Sequence, residues 1–241
     1  MNFLFDVDGT LTTPRESITP EFKKFFGRWV GVQQGNGHKV FFVTGSDRDK
    51  TVEQVGLPLW RFVDGSYQCS GNQLYSGGKL IKQSKWMMSA DLHYDIIELL
   101  EKSKWYGKAD KNIEERVGRV NISTVGRSAT NILRKKYFEW DNVNLERVKI
   151  KEELSSRYGD LEFSIGGEIS IDIYPKGKNK SQILEDMNGK TMFFGDRCEE
   201  GGNDYEIATM SDSYHNVKDW KETFSILSRL KWLYMQYQYQ P

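Results

Sequence analysis

At 241 residues, with 34 basic and 34 acidic side chains, the chain carries no formal net charge, so no overall field draws it to nucleic acid or to an acidic membrane. Hydrophobic residues make up 38%, with 13 Phe, 12 Tyr and 7 Trp, which suffices for a packed core and argues against wholesale disorder. Cys69 and Cys198 are the only cysteines and give neither a disulfide nor a zinc framework. Acids interrupt the first apolar run and no stretch is long enough to span a bilayer, so the expectation is a soluble, cytoplasmic protein without a leader.

In chain order, Phe3 to Val7 reads as a strand that stops in Asp6-Val7-Asp8-Gly9-Thr10. A helix is predicted from Thr19-Pro20, a hydroxyl N-cap followed by proline at the first helical position. Phe22, Phe25, Phe26, Trp29 and Val30 recur at helical spacing on it. Lys39 to Val43 is a second strand, ending in Thr44-Gly45-Ser46-Asp47, where a helix with Val52 and Val55 begins. Two strands joined by a helix imply a parallel pair with a right-handed crossover. A third such unit comes only near the end: strand Lys190 to Phe194, tip Gly195-Asp196, then Gly201-Gly202-Asn203-Asp204 before a helix at Tyr205. The long middle differs in character. Glu168 to Tyr174 alternates, with Ile169, Ile171 and Ile173 on one side and Ser170, Asp172 and Tyr174 on the other, as in a half-buried antiparallel strand. Val120 to Val125 begins the same way, and helices are predicted over about 92–104 and 143–158. The aromatic tail from Arg229 either finishes a helix or lies on a partner. The expected architecture is α/β: a Rossmann-type parallel-sheet core, residues 1–83 and 177–241, with an inserted α+β cap over 84–176.

Acids at the tip of a buried strand cost free energy unless something there needs negative charge, and in an open α/β sheet that edge is where ligands bind. Phosphoryl transfer needs a nucleophile, a proton shuttle and positive charge on the phosphoryl oxygens. Asp6 can be the nucleophile and Asp8 the acid/base. Two acids repel an anion, so a cation must intervene, and Asp6, Asp196 and Asp204 offer the hard oxygens that suit Mg²⁺. Thr44 offers a hydroxyl to phosphate, or is simply a helix N-cap. Lys180 adds a point charge, or belongs to a solvated basic loop with Lys176 and Lys178.

Asp-x-Asp-Gly-Thr, Thr44, Lys180 and the Gly195-Asp196 pair, in this order, resemble the four-motif layout of the haloacid dehalogenase superfamily. Leu4-Phe5-Asp6-Val7-Asp8-Gly9-Thr10-Leu11-Thr12 with Pro14-Arg15 resembles the opening of eukaryotic-type phosphomannomutases. Three later blocks do so too: Arg116 to Ser128, Phe163 to Lys180, and Phe193 to Asp204. The resemblance covers most of the chain, cap included. It implies exchange of phosphate between C1 and C6 of a hexose phosphate, mannose 1-phosphate and mannose 6-phosphate, through an aspartyl phosphate on Asp6. A hexose 1,6-bisphosphate would serve as activator. Asp8 would be the acid/base, and Mg²⁺ would be held by Asp6, the main-chain carbonyl of Asp8, and Asp196. Arg15 would touch substrate from the core. In the cap, Arg116, Arg127 and Arg134 would grip the distal phosphate, and Ser170 and Asp172 the sugar or that phosphate. A homodimer through the cap is also implied.

A mutase must hold the phosphate that is not reacting, and arginine is the bidentate clamp for it. Arg127 and Arg134, seven apart, share a side if the segment between them is helical. Strict alternation puts Arg119, not Arg116, on the face with Asn121 and Ser123, so a bulge near Gly118 is expected to bring Arg116 there. Three arginines are otherwise a solvated surface. Thr44 stands where these mutases favour Gly-Gly-Ser-Asp and reads like a superfamily phosphatase; Glu199-Glu200 are more acidic than expected, and the last forty residues match little. A sugar-phosphate phosphatase using the same aspartyl phosphate therefore stays open, as, more remotely, does a non-catalytic sugar-phosphate sensor.

Overall fold

The computed structural model describes the backbone of residues 1–238 and the side chains of residues 1–230. The strands are β1 (Asn2–Phe5), β2 (Lys39–Val43), β3 (Gly65–Gln68), β4 (Gln73–Ser76), β5 (Lys79–Gln83), β6 (Ile113–Arg116), β7 (Arg119–Ile122), β8 (Leu161–Gly166), β9 (Ser170–Pro175), β10 (Thr191–Gly195) and β11 (Ser213–Asn216). The helices are α1 (Pro20–Gly35), α2 (Arg48–Val55), α3 (Leu57–Phe62), α4 (Ala90–Glu101), α5 (Asn131–Asn144), α6 (Glu146–Arg157), α7 (Tyr205–Met210) and α8 (Trp220–Gln238). They divide into two compact units, Met1–Gln83 with Asn179–Pro241, and Ser84–Lys178.

The first unit holds a seven-stranded sheet in the order β11-β10-β1-β2-β3-β4-β5, parallel from β11 to β3 and closed by the antiparallel pair β4 and β5. Its central strands read as unbroken apolar runs because both faces are covered. Phe3, Phe5, Val40, Phe42 and Phe194 pack on one face with Phe22, Phe26 and Trp29 of α1 and Leu227 of α8. Leu4, Val43, Tyr67 and Phe193 pack on the other with Ile183 and with Ile207 and Ala208 of α7. At the centre the Phe5 and Phe194 rings stack at 4.6 Å, and Phe26 meets Phe5 edge-on at 5.1 Å. Thr19 caps α1 as expected, accepting from the Phe22 amide.

β1 ends two residues earlier than its apolar run suggests, because Val7 belongs to the turn. The Val7 carbonyl accepts from the Leu11 and Thr12 amides, and the Gly9 amide donates to the Thr12 carbonyl. The hairpin β4–β5 and the short β3 carry no alternation in sequence; β5 is exposed at every residue and exists through pairing at the sheet's edge. The tail continues α8 to Gln238, and its aromatic side chains beyond residue 230 lie outside the described residues.

The second unit is an antiparallel sheet, β6-β7-β9-β8, whose apolar face (Val120, Ile122, Phe163, Ile171, Ile173) packs on α4 and α6. The helix expected over 143–158 is instead α5 and α6, divided at Leu145, whose φ of 54° is left-handed and ends the first hydrogen-bond ladder. The strand expected from Glu168 starts at Ser170. β6 and β7 form a hairpin with Gly118 at φ 71° in its turn, and Arg116 pairs directly with Arg119. Directly paired residues share a face, so the hairpin, not a bulge, puts Arg116 on the side of Arg119 and Asn121.

Candidate active site

β10, β1 and β2 are neighbours, so their C-terminal tips deliver Asp196, Asp6 and Thr44 to one edge of the sheet. Asp6 is 3% exposed, with its amide donating to the Phe194 carbonyl at 2.9 Å. Lys180 opens the 3-10 turn Lys180–Asp186 and is 2% exposed, so it is no part of a solvated loop. Its Nζ donates to Asp6 Oδ1 at 2.7 Å and to Asp204 Oδ1 at 2.5 Å. Asp204 is wholly buried, and carboxylate oxygens of Asp6, Asp196 and Asp204 lie within 4.8 Å of one another. Gly9 makes this possible twice over: its φ of 80° suits glycine, and a Cβ there would collide with the Asp196 carboxylate.

One ammonium faces three carboxylates. Burial, with Asp204 and Asp196 nearby and Lys180 opposing, raises Asp6 to about 8. Burial and Asp204 raise Asp196 to about 6. Burial works against the charge of Lys180, but Asp204 and Asp6 outweigh it and lift its pKa. A divalent cation would relieve the excess negative charge, and an all-oxygen set of carboxylates is what Mg²⁺ takes. The donor set fits.

Asp8 stands apart from that group. Its Oδ1 accepts from the Arg15 amide at 2.7 Å and from Gln54 Nε2 at 2.8 Å; its Oδ2 accepts from Lys50 Nζ at 3.2 Å and Ser46 Oγ at 3.4 Å. Partial burial opposes ionisation, but these donors prevail and hold the carboxyl below its ordinary value. Its carboxylate is not among the three that cluster, and the resemblance assigns to the metal only its main-chain carbonyl. Lys50 and Gln54, four apart on α2, were not singled out in the sequence; their i, i+4 spacing beside a strand tip was the available signal. Arg15 is exposed and in left-handed backbone at φ 67°.

Thr44 is not the cap of α2. Asp47 is, accepting from the Lys50 amide at 2.9 Å, while the Thr44 hydroxyl accepts from the Ser46 amide at 3.1 Å and shapes the loop.

In the second unit, Glu114 gathers two of the three expected arginines. Its Oε2 accepts from Arg116 at 2.8 Å and Arg127 at 3.2 Å. Arg127 lies in a loop before α5, whose N-cap is Thr130, so the segment joining it to Arg134 is not helical throughout. Arg134 instead reaches back from the first turn of α5, its Nη2 donating to the Arg127 carbonyl at 3.3 Å. On the sheet's polar face Asp172 pairs with Asn121, which donates to it at 2.8 Å, and the Ser170 hydroxyl donates to the Gly166 carbonyl at 2.9 Å. Glu114 stands two before Arg116 on β6, a spacing the sequence offered as a signal, whereas Arg127 reaches it only through the fold of the loop before α5.

Known proteins resemble this chain in fold and in sequence. A solved haloacid dehalogenase-like hydrolase from Bacteroides thetaiotaomicron superposes with a TM-score of 0.61 at 11% identity, over 95% of this chain and 98% of that one, which establishes the fold. The chain is 36% identical to a phosphomannomutase of Arabidopsis thaliana over 85% of each sequence, and 32% identical to one of Drosophila melanogaster over 94% of each. The model of the eukaryotic phosphomannomutase family matches residues 33–232, a span that begins after the Asp6 loop and takes in the arginine group, Lys180 and the acids Asp196 and Asp204. With a haloacid dehalogenase fold, the acid cluster at its strand tips and relatives of this identity along nearly its whole length, the chain belongs to the eukaryotic phosphomannomutase family.

Proposed function

We propose that the protein is a Mg²⁺-dependent phosphomannomutase that moves phosphate between C1 and C6 of a hexose phosphate through an aspartyl phosphate on Asp6. The observation that carries this is Lys180 bound to one oxygen of Asp6, which leaves the other oxygen as the nucleophile. Family membership supplies the substrate class.

The charge states suggest an order of events. Asp8 rests ionised, so it first serves as base, taking the proton of a sugar hydroxyl whose oxygen attacks the phosphorus on Asp6. The acyl phosphate bond breaks and a hexose bisphosphate forms. After the sugar turns, Asp6 attacks the other phosphate, that ester bond breaks, and Asp8 returns its proton to the leaving sugar oxygen. Asp6, Asp196 and Asp204, with the main-chain carbonyl of Asp8, would hold the cation, which would supply positive charge to the phosphoryl oxygens. Without a cation, burial and the neighbouring acids favour the protonated, less nucleophilic form of Asp6, against Lys180. Arg116, Arg127 and Arg134 would grip the phosphate that is not reacting, with Ser170, Asp172 and Arg15 on the sugar.

A sugar-phosphate phosphatase is the second reading. Thr44 favours it, since a hydroxyl stands there in place of glycine. What decides is whether water or a sugar hydroxyl reaches the phosphoaspartate.

Radiolabel transfer from a hexose 1,6-bisphosphate tests the nucleophile. Wild type should form a base-labile protein phosphate and Asp6→Asn none, with kcat lowered about 10³-fold or more. Full activity in Asp6→Asn would end the proposal.

A further inference from the structure

On the polar face of the second unit's sheet, one cation has been left without a counter-charge. Arg119 is 8% exposed, and its Nε meets no hydrogen-bond partner. Its guanidinium lies over the Tyr174 ring at 5.2 Å, and among the described residues no carboxylate pairs with it. Directly opposite on β6 stands Arg116, whose own charge is answered by Glu114. Like charges directly opposed across a ladder are destabilising, and a buried unpaired charge is more so. Two residues along β7, Asn121 is 3% exposed; its amide nitrogen serves Asp172, while its Oδ1 has no partner.

An unmet cationic donor and an unmet acceptor thus share one face, with Cα atoms about 7 Å apart at the rise of a strand. The donor calls for an anion and the acceptor for a hydroxyl. A single molecule carrying both at that separation is a sugar phosphate.

We infer that Arg119 and Asn121 form an additional sugar-phosphate contact in the second unit, Arg119 donating to the phosphate that is not reacting and Asn121 accepting from a hydroxyl of the same sugar. The inference rests on the mutase reading, in which that unit holds the distal phosphate. It assigns a fourth arginine to the clamp. It also explains how an uncompensated cation is tolerated: its partner arrives with the ligand.

Calorimetric titration of glucose 1,6-bisphosphate and of inorganic phosphate into wild type, Arg119→Met, Arg119→Lys and Arg127→Ala tests it. Met keeps the stem's packing on Tyr174, so the unfolding temperature of Arg119→Met should be unchanged or higher, while its bisphosphate Kd should rise about tenfold or more. Arg119→Lys keeps the charge but not the planar fork and should lose several-fold; it also serves if the Met variant fails to fold. Wild-type affinity in Arg119→Met or Arg119→Lys, with Arg127→Ala weakened, would overturn the inference and leave the mutase reading standing. Undiminished binding in all three variants would remove both. Inorganic phosphate binding wild type as tightly as the bisphosphate would overturn the hydroxyl contact of Asn121.

Discussion

Lys180 is asked to neutralise Asp6 and Asp204 together, and Asp196 lies beside them without a cation of its own. Protons and Mg²⁺ must therefore compete for the same oxygens. With Asp196 raised to about 6 and Asp6 to about 8, the Mg²⁺ Kd should climb as pH falls, by about tenfold per unit between pH 8 and 6, where one proton is displaced, and more steeply below pH 6, where two are. Calorimetry from pH 8 to pH 5 reads this directly, and a flat Kd would show that these acids are not the ligands. The same shifts have a sign for stability. A carboxyl whose folded pKa lies above its unfolded value of 3.8 binds more protons in the folded state, so metal-free stability falls as pH rises from about 4, through about 8 on account of Asp6 and through about 6 on account of Asp196. Asp196→Asn should flatten its part of that fall, and Mg²⁺ should raise the unfolding temperature of wild type but hardly that of the variant. The acids themselves were legible in sequence, because strand-tip carboxylates before glycine turns are locally encoded. Lys50 and Gln54, which hold Asp8 ionised, were not, since nothing in α2 alone says which strand tip it faces.

The junction of α5 and α6 shows what pattern reading loses at the scale of an element. Apolar spacing runs on through residue 145, but Leu145 turns left-handed, and the chain is held there by Asp141 and Arg147. Arg147 Nε donates to Asp141 Oδ2 at 2.7 Å and its Nη1 to the Gly167 carbonyl at 2.9 Å, tying both helices to the β8–β9 turn. Both side chains are buried, so Arg147→Ala should cost about 3–5 kcal/mol by leaving Asp141 unpaired. Leu145→Gly should recover up to about 1 kcal/mol of left-handed strain. Urea unfolding of each variant checks both signs. Strand pairing hid the arginine group in the same way: alternation along β7 was readable, whereas the hairpin register that sets Arg116 beside Arg119 is a property of two strands.

For the molecule as a whole, the three central parallel strands, β10, β1 and β2, were readable because strands buried on both faces carry continuous apolar runs, and the motif acids punctuate their ends. The flanking strands were not, since β3 and β11 are short and polar and β5 lies in solvent along its whole length. No helix among the described residues is long and apolar enough to cross a membrane. The homodimer that the family resemblance implies would have twice the chain mass of 28.0 kDa by light scattering, and a monomer would remove it. Mutase and phosphatase share the aspartyl phosphate and differ only in what accepts the phosphoryl group. The decisive measurement supplies mannose 1-phosphate, with and without a hexose 1,6-bisphosphate, and follows mannose 6-phosphate and free phosphate separately. Bisphosphate-stimulated isomerisation with little phosphate release is the predicted result; stoichiometric phosphate release without isomerisation would contradict the account.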